Sequence, residues 1–495
     1  MTLRLSLLAA LLVCAPLLGA KPKTKVEVQW RTTEYESGKL HEKYAVRVEG
    51  ESETRWGDYT EYWENGKKKL EGEYEDGKQI ERWEWYYESG ENQQSGFFDA
   101  GVKWNNWTTW HPNGKKASDG KYANGKKQDK WIWWWENGKK KEESYFELDT
   151  REGRNVTWHD NGQRSEQGEY KNAKKHGKWE QWWENGQLRS QGYYEMGTRR
   201  DKWQWWFENG KQSEYHDYKG EERTGTWRTW FENGNLKSEG EAFNDLRDGN
   251  WTYYHEIGLK ESAGRYEQGK RIGTWTFWHE NTAKRAEGGY EEGLQAGKWV
   301  WWHDNGKKQT EGTLTQGNRN GAWIIWHENG EKAVECSFKD GELDGIWKRY
   351  SEDGKTLAEG AYAVDEQVST WTFWHSNGEK AAQGTFTDGV KTGPWSTWHL
   401  NGSLESYGFY DDGRESGRWE YWYDDGSKRQ VCTYKGGDRS GEWSWYYKGG
   451  KLRARGTFKE NWLDGWYREY DAAGQVAFEK FYKEGYEADP PEDRG

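Results

Sequence analysis

The chain is poor in the residues that usually build a protein interior. Aliphatic side chains are scarce, the hydrophobic fraction is only 32%, and charged residues also reach 32%. Composition of that kind points by itself to disorder. A basic excess is missing too: the formal charge is -12, and -13 once Arg4 is removed with the leader described below. That argues against nucleic acid and acidic lipid headgroups as partners. After residue 20 no long apolar run follows, so no membrane span is expected. There is no nucleophile elbow, no phosphate-binding loop and no Cys/His metal spacing, so nothing marks an enzyme and no cofactor is implied.

What the chain does have is 40 tryptophans and 31 tyrosines, rings large enough to supply the buried area that leucine and valine usually provide. They are arranged around the turn Glu64-Asn65-Gly66-Lys67, which returns every 24 residues. The position of Gly66 recurs through Gly186, Thr282 and Gly330 to Gly474, eighteen copies in one register. A fixed period of this size signals a repeat architecture. Each unit holds two runs of strand length joined by the turn, which reads Asn-Gly in eleven copies and Asp-Gly at Gly354 and Gly426. Such dipeptides favour a two-residue type I′ hairpin. The expected fold class is all-β: an elongated repeat array of antiparallel β-hairpins forming a long twisted single-layer meander, roughly 170 Å long at about 4.8 Å per strand.

A two-residue loop at Gly186 sets Trp179 opposite Gly192, Gly177 opposite Tyr194, and Trp182 opposite Arg189. The position seven before the turn residue is tryptophan in fifteen copies and its partner is glycine in thirteen. Eight after, Tyr or Phe stands in sixteen, facing glycine in thirteen. One face is therefore expected to be built of rings lying over the glycines they face. On the other face the position four before the turn residue is Trp or Tyr in every copy. Its tryptophans, Trp110, Trp134, Trp158, Trp182, Trp206, Trp230, Trp278, Trp302, Trp326, Trp374, Trp398 and Trp422, form an aromatic stripe in a charged field. These are the candidate ligand-binding residues, since spaced rings stack sugars or anchor protein hot spots; the alternative is a structural ring shielded by Arg189 or Lys237 across from it. The position five before the turn varies more, with Trp85, Trp133, Gln181, Tyr253, Ile325 and Arg349, and specificity could sit there.

Residues 1–20 read as a cleavable export signal, with Arg4, the apolar run Leu5 to Leu18, and Gly19-Ala20 before Lys21. Val13 before Cys14 is not the small residue of a lipoprotein site, so lipidation is not expected. The implied location is periplasmic or extracellular. Residues 21–55 form an N-terminal cap and atypical first repeat, 56–486 the array with its C-terminal cap, and 487–495 an acidic disordered tail. Cys336 and Cys432, four repeats apart, are too distant to bridge and fill glycine slots. Asn155 replaces a tryptophan after the glycine-poor Phe146-Glu147-Leu148-Asp149, Thr282 replaces a turn glycine, and 361–370 lacks the inter-hairpin glycines.

Eight of eleven histidines share the position three before the turn residue: His111, His159, His255, His279, His303, His327, His375 and His399. Copies about 9–10 Å apart cannot share one metal ion. Trp63, Trp135, Trp183, Phe207 and Tyr423 occupy the same slot, so a planar packing or edge residue is expected. The acid two before the turn glycine, as in Glu136, Glu184 and Glu328, repeats in one environment, whereas a catalytic pair needs two.

Written as G-x-W-x-x-W-x-E-N-G-x-x-x-x-x-G-x-Y-x-x-G, the array resembles MORN repeats, most closely the bacterial variant of antitoxin or immunity type. Phrases such as Gly177-Lys178-Trp179, Trp183-Glu184-Asn185-Gly186 and Gly192-Tyr193-Tyr194 carry the likeness. It implies an interaction scaffold without catalytic residues. The expectation is an exported, non-enzymatic scaffold that binds a protein in the bacterial envelope or outside the cell. The alternative is a glycan or cell-wall binder using the stripe.

Overall fold

The computed structural model describes residues 27–491, so the leader at 1–20 and the last four residues of the tail lie outside the described residues. Two compact units divide the chain, Met1–Gly210 and Lys211–Gly495. Within the first, the strands from Glu27–Glu34 to Thr198–Trp206 each pair antiparallel with their sequence neighbours. Within the second, those from Gln212–Lys219 to Tyr486–Glu487 do the same, except that Glu342–Leu343 and Gly345–Tyr350 both pair with Lys332–Lys339, and Trp462–Leu463 and Gly465–Tyr470 both with Leu452–Lys459. Both units are all-β hairpin meanders. Ser37-Gly38 is a turn, closed by the Gly38 N–H on the Tyr35 carbonyl at 2.9 Å. Glu487, assigned to the tail, pairs with Tyr482.

The Asn-Gly turn differs from expectation. Between the strands Lys174–Trp182 and Leu188–Glu195, the Gly186 N–H donates to the Trp183 carbonyl at 2.9 Å and the Trp183 N–H to the Gln187 carbonyl at 2.8 Å. Gly186 is left-handed at φ 85° and Asn185 is not. This is a three-residue loop, a type I turn closed by a left-handed glycine, rather than a type I′ turn. Trp182 accordingly pairs with Leu188, not Arg189, which is the extra residue before Ser190. The bulge at Arg189 cancels the longer loop. Beyond it Trp179 faces Gly192 and Gly177 faces Tyr194, as the sequence implied.

The type I′ turns lie at the opposite edge. Met196 and Gly197, at φ 49° and 92°, connect Glu195 and Thr198, which pair directly. Where glycine is missing, as at Leu148-Asp149 and Val364-Asp365, both residues still take positive φ. An aspartate compensates: the Asp149 carboxylate accepts the Lys127 N–H at 2.7 Å and that of Asp365 the Leu343 N–H at 2.6 Å. Their own N–H groups donate to the Lys127 and Leu343 carbonyls, each at 3.0 Å.

The core is a row of indoles, Trp83, Trp107, Trp131, Trp179 and Trp203 in the first unit, and Trp251, Trp275, Trp299 and Trp323 among those of the second, none more than 4% exposed. Their relation to glycine is not the expected one. Each ring lies over the glycine of the preceding hairpin, not the one it faces in its own: Trp203 covers Gly192, and Trp179 covers Gly168. A Cβ on Gly192 would sit 2.1 Å from the Trp203 ring, so only glycine fits. The glycine facing the tyrosine has another cause, because Gly177 has φ 69° and nothing near its missing Cβ. The indole N–H groups are satisfied by the carbonyl beside that covered glycine, Trp179 on Glu169 at 3.1 Å and Trp203 on Tyr193 at 3.1 Å. Tyrosines stand edge-on between rings, as Tyr170 does against Trp179 at 5.1 Å and 82°.

The exceptions follow the same rule. Where Asn155 replaces the indole, Ser144 replaces the glycine beneath it, and the buried pair is hydrogen-bonded to each other, with Glu142 and Arg151 completing the network. His216 in a glycine position leaves Trp227 half-buried with its N–H unpartnered. Cys336 and Cys432 are buried free thiols in the glycine slots facing Trp323 and Trp419.

Candidate interaction faces

Both edges carry ladders that tie one repeat to the next. All eight histidines of the shared slot place Nε2 against the carbonyl of the stripe residue in the following repeat, from His375 on Trp398 at 2.8 Å to His303 on Trp326 at 3.3 Å. Trp63, Trp135, Trp183 and Tyr423 donate to the equivalent carbonyl. The slot most often holds a planar ring with an N–H or O–H at its tip, Phe207, Phe231, Ser351 and Asp471 being exceptions, and this edge role accounts for the histidines. Among the described residues no group of His, Cys, Asp or Glu is placed to hold a metal ion. The turn asparagines reach forward likewise, Asn161 Nδ2 to the Glu184 carbonyl at 2.6 Å and Asn305 Nδ2 to that of Glu328 at 2.9 Å. The repeated acid therefore contributes its backbone carbonyl, while its side chain faces water.

All twelve stripe tryptophans, Trp110 to Trp422, are half-buried. A lysine of the preceding hairpin lies over several of them: Lys140 over Trp158 at 5.4 Å, Lys284 over Trp302 at 5.6 Å, and Lys308 over Trp326 at 5.3 Å. The same lysines bind carboxylates, Lys284 to Glu287 at 2.6 Å and Lys308 to Glu311 at 2.8 Å. Hydrogen bonding by Lys284 and Thr276 outweighs burial and holds the Glu287 carboxyl below its ordinary value. Arg189 and Lys237 do not cover the stripe; the bulge turns them over Trp183 and Phe231 instead.

The core face carries a second cationic row that composition did not suggest, at the position eleven before the turn residue. Its members lie on the core indoles: Lys103 over Trp107 at 4.1 Å, Lys175 over Trp179 at 3.9 Å, Arg271 over Trp275 at 4.3 Å, Lys391 over Trp395 at 4.4 Å. Many lack an acid. Lys103, Lys127, Arg247, Arg271, Arg319, Lys391 and Arg439 make no ion pair among the described residues, although the chain carries 85 acidic against 73 basic residues. Burial, and then the neighbouring Lys127, push the Lys103 ammonium below its ordinary value. In the second unit the row is interrupted at Gln295, Leu343, Gln367, Glu415 and Leu463. Beside Gln295, next to the Thr282 hairpin, opens a cleft of about 740 Å³ walled by Phe277, Trp299 and Trp301, with Arg271 and Arg285 reaching in and Asp304 and Glu328 also on its lining. The variable position five before the turn lies on this face, Phe277 and Trp301 being two of its members.

The geometry defines a class: a hairpin-repeat protein with an aromatic, cation-covered face and ring-and-amide ladders along its edges. Nine segments match the MORN repeat variant model, at residues 57–76, 130–147, 151–172, 175–196, 223–244, 319–340, 343–363, 391–412 and 439–460. These nine segments are MORN-like repeats. No curated protein matches it. Solved structures do, among them two titled "Crystal Structure of TcdB2-TccC3 without hypervariable C-terminal region" and "Crystal Structure of TcdB2-TccC3-Cdc42", each at 9% identity. The matches cover 93% and 89% of this chain but only 30% and 32% of theirs, with TM-scores of 0.14 and 0.11. At those scores the likeness carries no argument about this chain.

Proposed function

We propose that the protein is an exported, non-enzymatic scaffold that binds another protein in the bacterial envelope or outside the cell, through its core face rather than its stripe. The observation that carries this reading is the row of cations lying on aromatic rings without acidic partners. Desolvated guanidinium and aromatic groups are the usual anchors of protein interfaces. On the stripe face Lys116, Lys140, Lys284 and Lys308 already have carboxylates, while Lys260 and Lys380 have none among the described residues, and these lysines partly cover the rings. The resemblance to MORN repeats and the leader at 1–20 support the scaffold role and the location.

The test is a pull-down from soluble envelope proteins with residues 21–495, run beside cosedimentation with cell-wall sacculi. A discrete protein retained, and lost in an Arg271→Gln/Arg319→Gln variant, supports the reading. Recovery in the wall pellet, reversed by soluble glycan fragments and abolished by Trp182→Ala/Trp206→Ala, overturns it in favour of a glycan binder.

A further inference from the structure

In the second unit three cations of the row stand without acids within four successive repeats: Arg247, Arg271 and Arg319, with Gln295 between the last two. Arg247 and Arg271 are only partly exposed. Arg247 lies over Trp251 at 5.0 Å with its Nε buried and unpartnered. Arg271 touches only neutral oxygens, the hydroxyls of Tyr266 and Tyr290 at 3.4 and 3.2 Å. Arg319 lies over Trp323 at 5.1 Å. A guanidinium fork is built for a carboxylate, and here none is supplied by the described residues.

Resting on the scaffold reading, we infer that this row and the cleft at Gln295 seat an extended acidic segment of the partner protein, with a carboxylate at about every third residue. The spacing follows from backbone geometry. Equivalent positions in successive repeats are two strands apart, about 9.5 Å. Three residues of a polyproline II chain, at about 3.1 Å each, advance about 9.3 Å and return the side chain to the same side. Between the carboxylates such a chain presents two side chains per turn. The ring walls of Phe277, Trp299 and Trp301 suit proline there, as aromatic-lined grooves do in proline-rich recognition. Gln295 leaves one carboxylate without a cation and opens the space beneath the segment.

The probe is a fluorescein-labelled (Glu-Pro-Pro)4 peptide titrated with residues 21–495 by polarisation at low and moderate salt. Two controls accompany it: (Gln-Pro-Pro)4, and a peptide of the same composition with its four glutamates consecutive. Binding of the spaced acidic peptide, weakened about tenfold or more by Arg271→Gln/Arg319→Gln and tightened severalfold by Gln295→Arg, is expected. Glutamine already occupies this position at Gln79, Gln295 and Gln367, so the variants keep the fold. Lys284→Gln/Lys308→Gln, on the stripe face, should leave binding unchanged. Equal binding of all three peptides, indifference to the arginine variants, or preference for polygalacturonate over the peptide overturns the inference. If the peptide fails while the pull-down still retains a partner insensitive to Arg271 and Arg319, the scaffold survives and the acidic segment does not.

Discussion

Replacing Gly192 by alanine tests the central packing relation. The added methyl would stand 2.1 Å from Trp203 Cδ2, 2.2 Å from Cε2 and 2.6 Å from Cγ, so the indole must leave its seat. Trp203 is 4% exposed and donates its N–H to Tyr193, so a small shift also breaks that bond. A shift absorbed within the core costs about 1–3 kcal/mol, and outright expulsion approaches the roughly 3–5 kcal/mol of deleting a buried tryptophan. An array of this length does not unfold in one step, so the readout is local: hydrogen exchange of peptides spanning 190–206, where about 3 kcal/mol accelerates exchange by roughly two orders of magnitude. The decisive form is a double-mutant cycle. On a Trp203→Ala background the Gly192→Ala change should cost almost nothing, whereas on Trp179→Ala it should cost as much as in the native chain. The opposite pattern, coupling to Trp179 and independence of Trp203, would show that the ring lies over the glycine it faces and refute the arrangement described.

Other consequences are as direct. His303→Phe leaves the Trp326 carbonyl without its donor and should loosen that turn by about 1 kcal/mol in hydrogen exchange, while His303→Trp, a residue the slot accepts at Trp183, should restore it. Asn305→Asp keeps the acceptor for the Lys307 N–H but loses the bond to the Glu328 carbonyl, at a cost of about 0.5–1.5 kcal/mol by the same measurement. Asp365→Ala should destabilise its type I′ turn more than Asp365→Gly, since glycine accepts the left-handed backbone that alanine resists by about 1–2 kcal/mol. Glu287 should titrate by NMR below an ordinary glutamate. Because its folded value is depressed, its stabilising contribution is complete above the ordinary carboxylate value and is lost as pH falls through the folded one; Lys284→Gln should raise the midpoint.

The period, the hairpins and the pairing of Trp179 with Gly192 were legible because a 24-residue repeat aligns every position with seventeen others. The turn type was not, because Asn-Gly serves two geometries, and the asparagine is there for its side-chain bond to the next repeat rather than for positive φ. A one-residue bulge then concealed the error beyond Arg189. The glycine under the indole was assigned to the wrong neighbour although a signal existed: Ser144 and Asn155, eleven residues apart, depart from the pattern together. The cationic row at Arg247, Arg271 and Arg319 stands four residues before the indole it covers, and nothing in composition separates it from the lysines that pair with acids. The twelve stripe residues are where the register put them, on a face whose lysines the sequence had not connected to the rings.

The ladders and the indole-over-glycine contacts share one property: each joins a residue to its counterpart's surroundings one repeat away, and the junctions between regular units are therefore interchangeable. Excising a block such as 285–308, or copying it, brings together surfaces that already fit. The number of repeats is free of the folding problem, and evolution can adjust it in steps of 24 residues by unequal recombination. A single-residue deletion has no such licence, since it displaces an indole from its glycine and a ring nitrogen from its carbonyl at once. Length in this architecture is a quantity selection can tune separately from stability, and the order in which cations, glutamines and acids occur along the row becomes a linear text that whole-repeat exchange can rewrite.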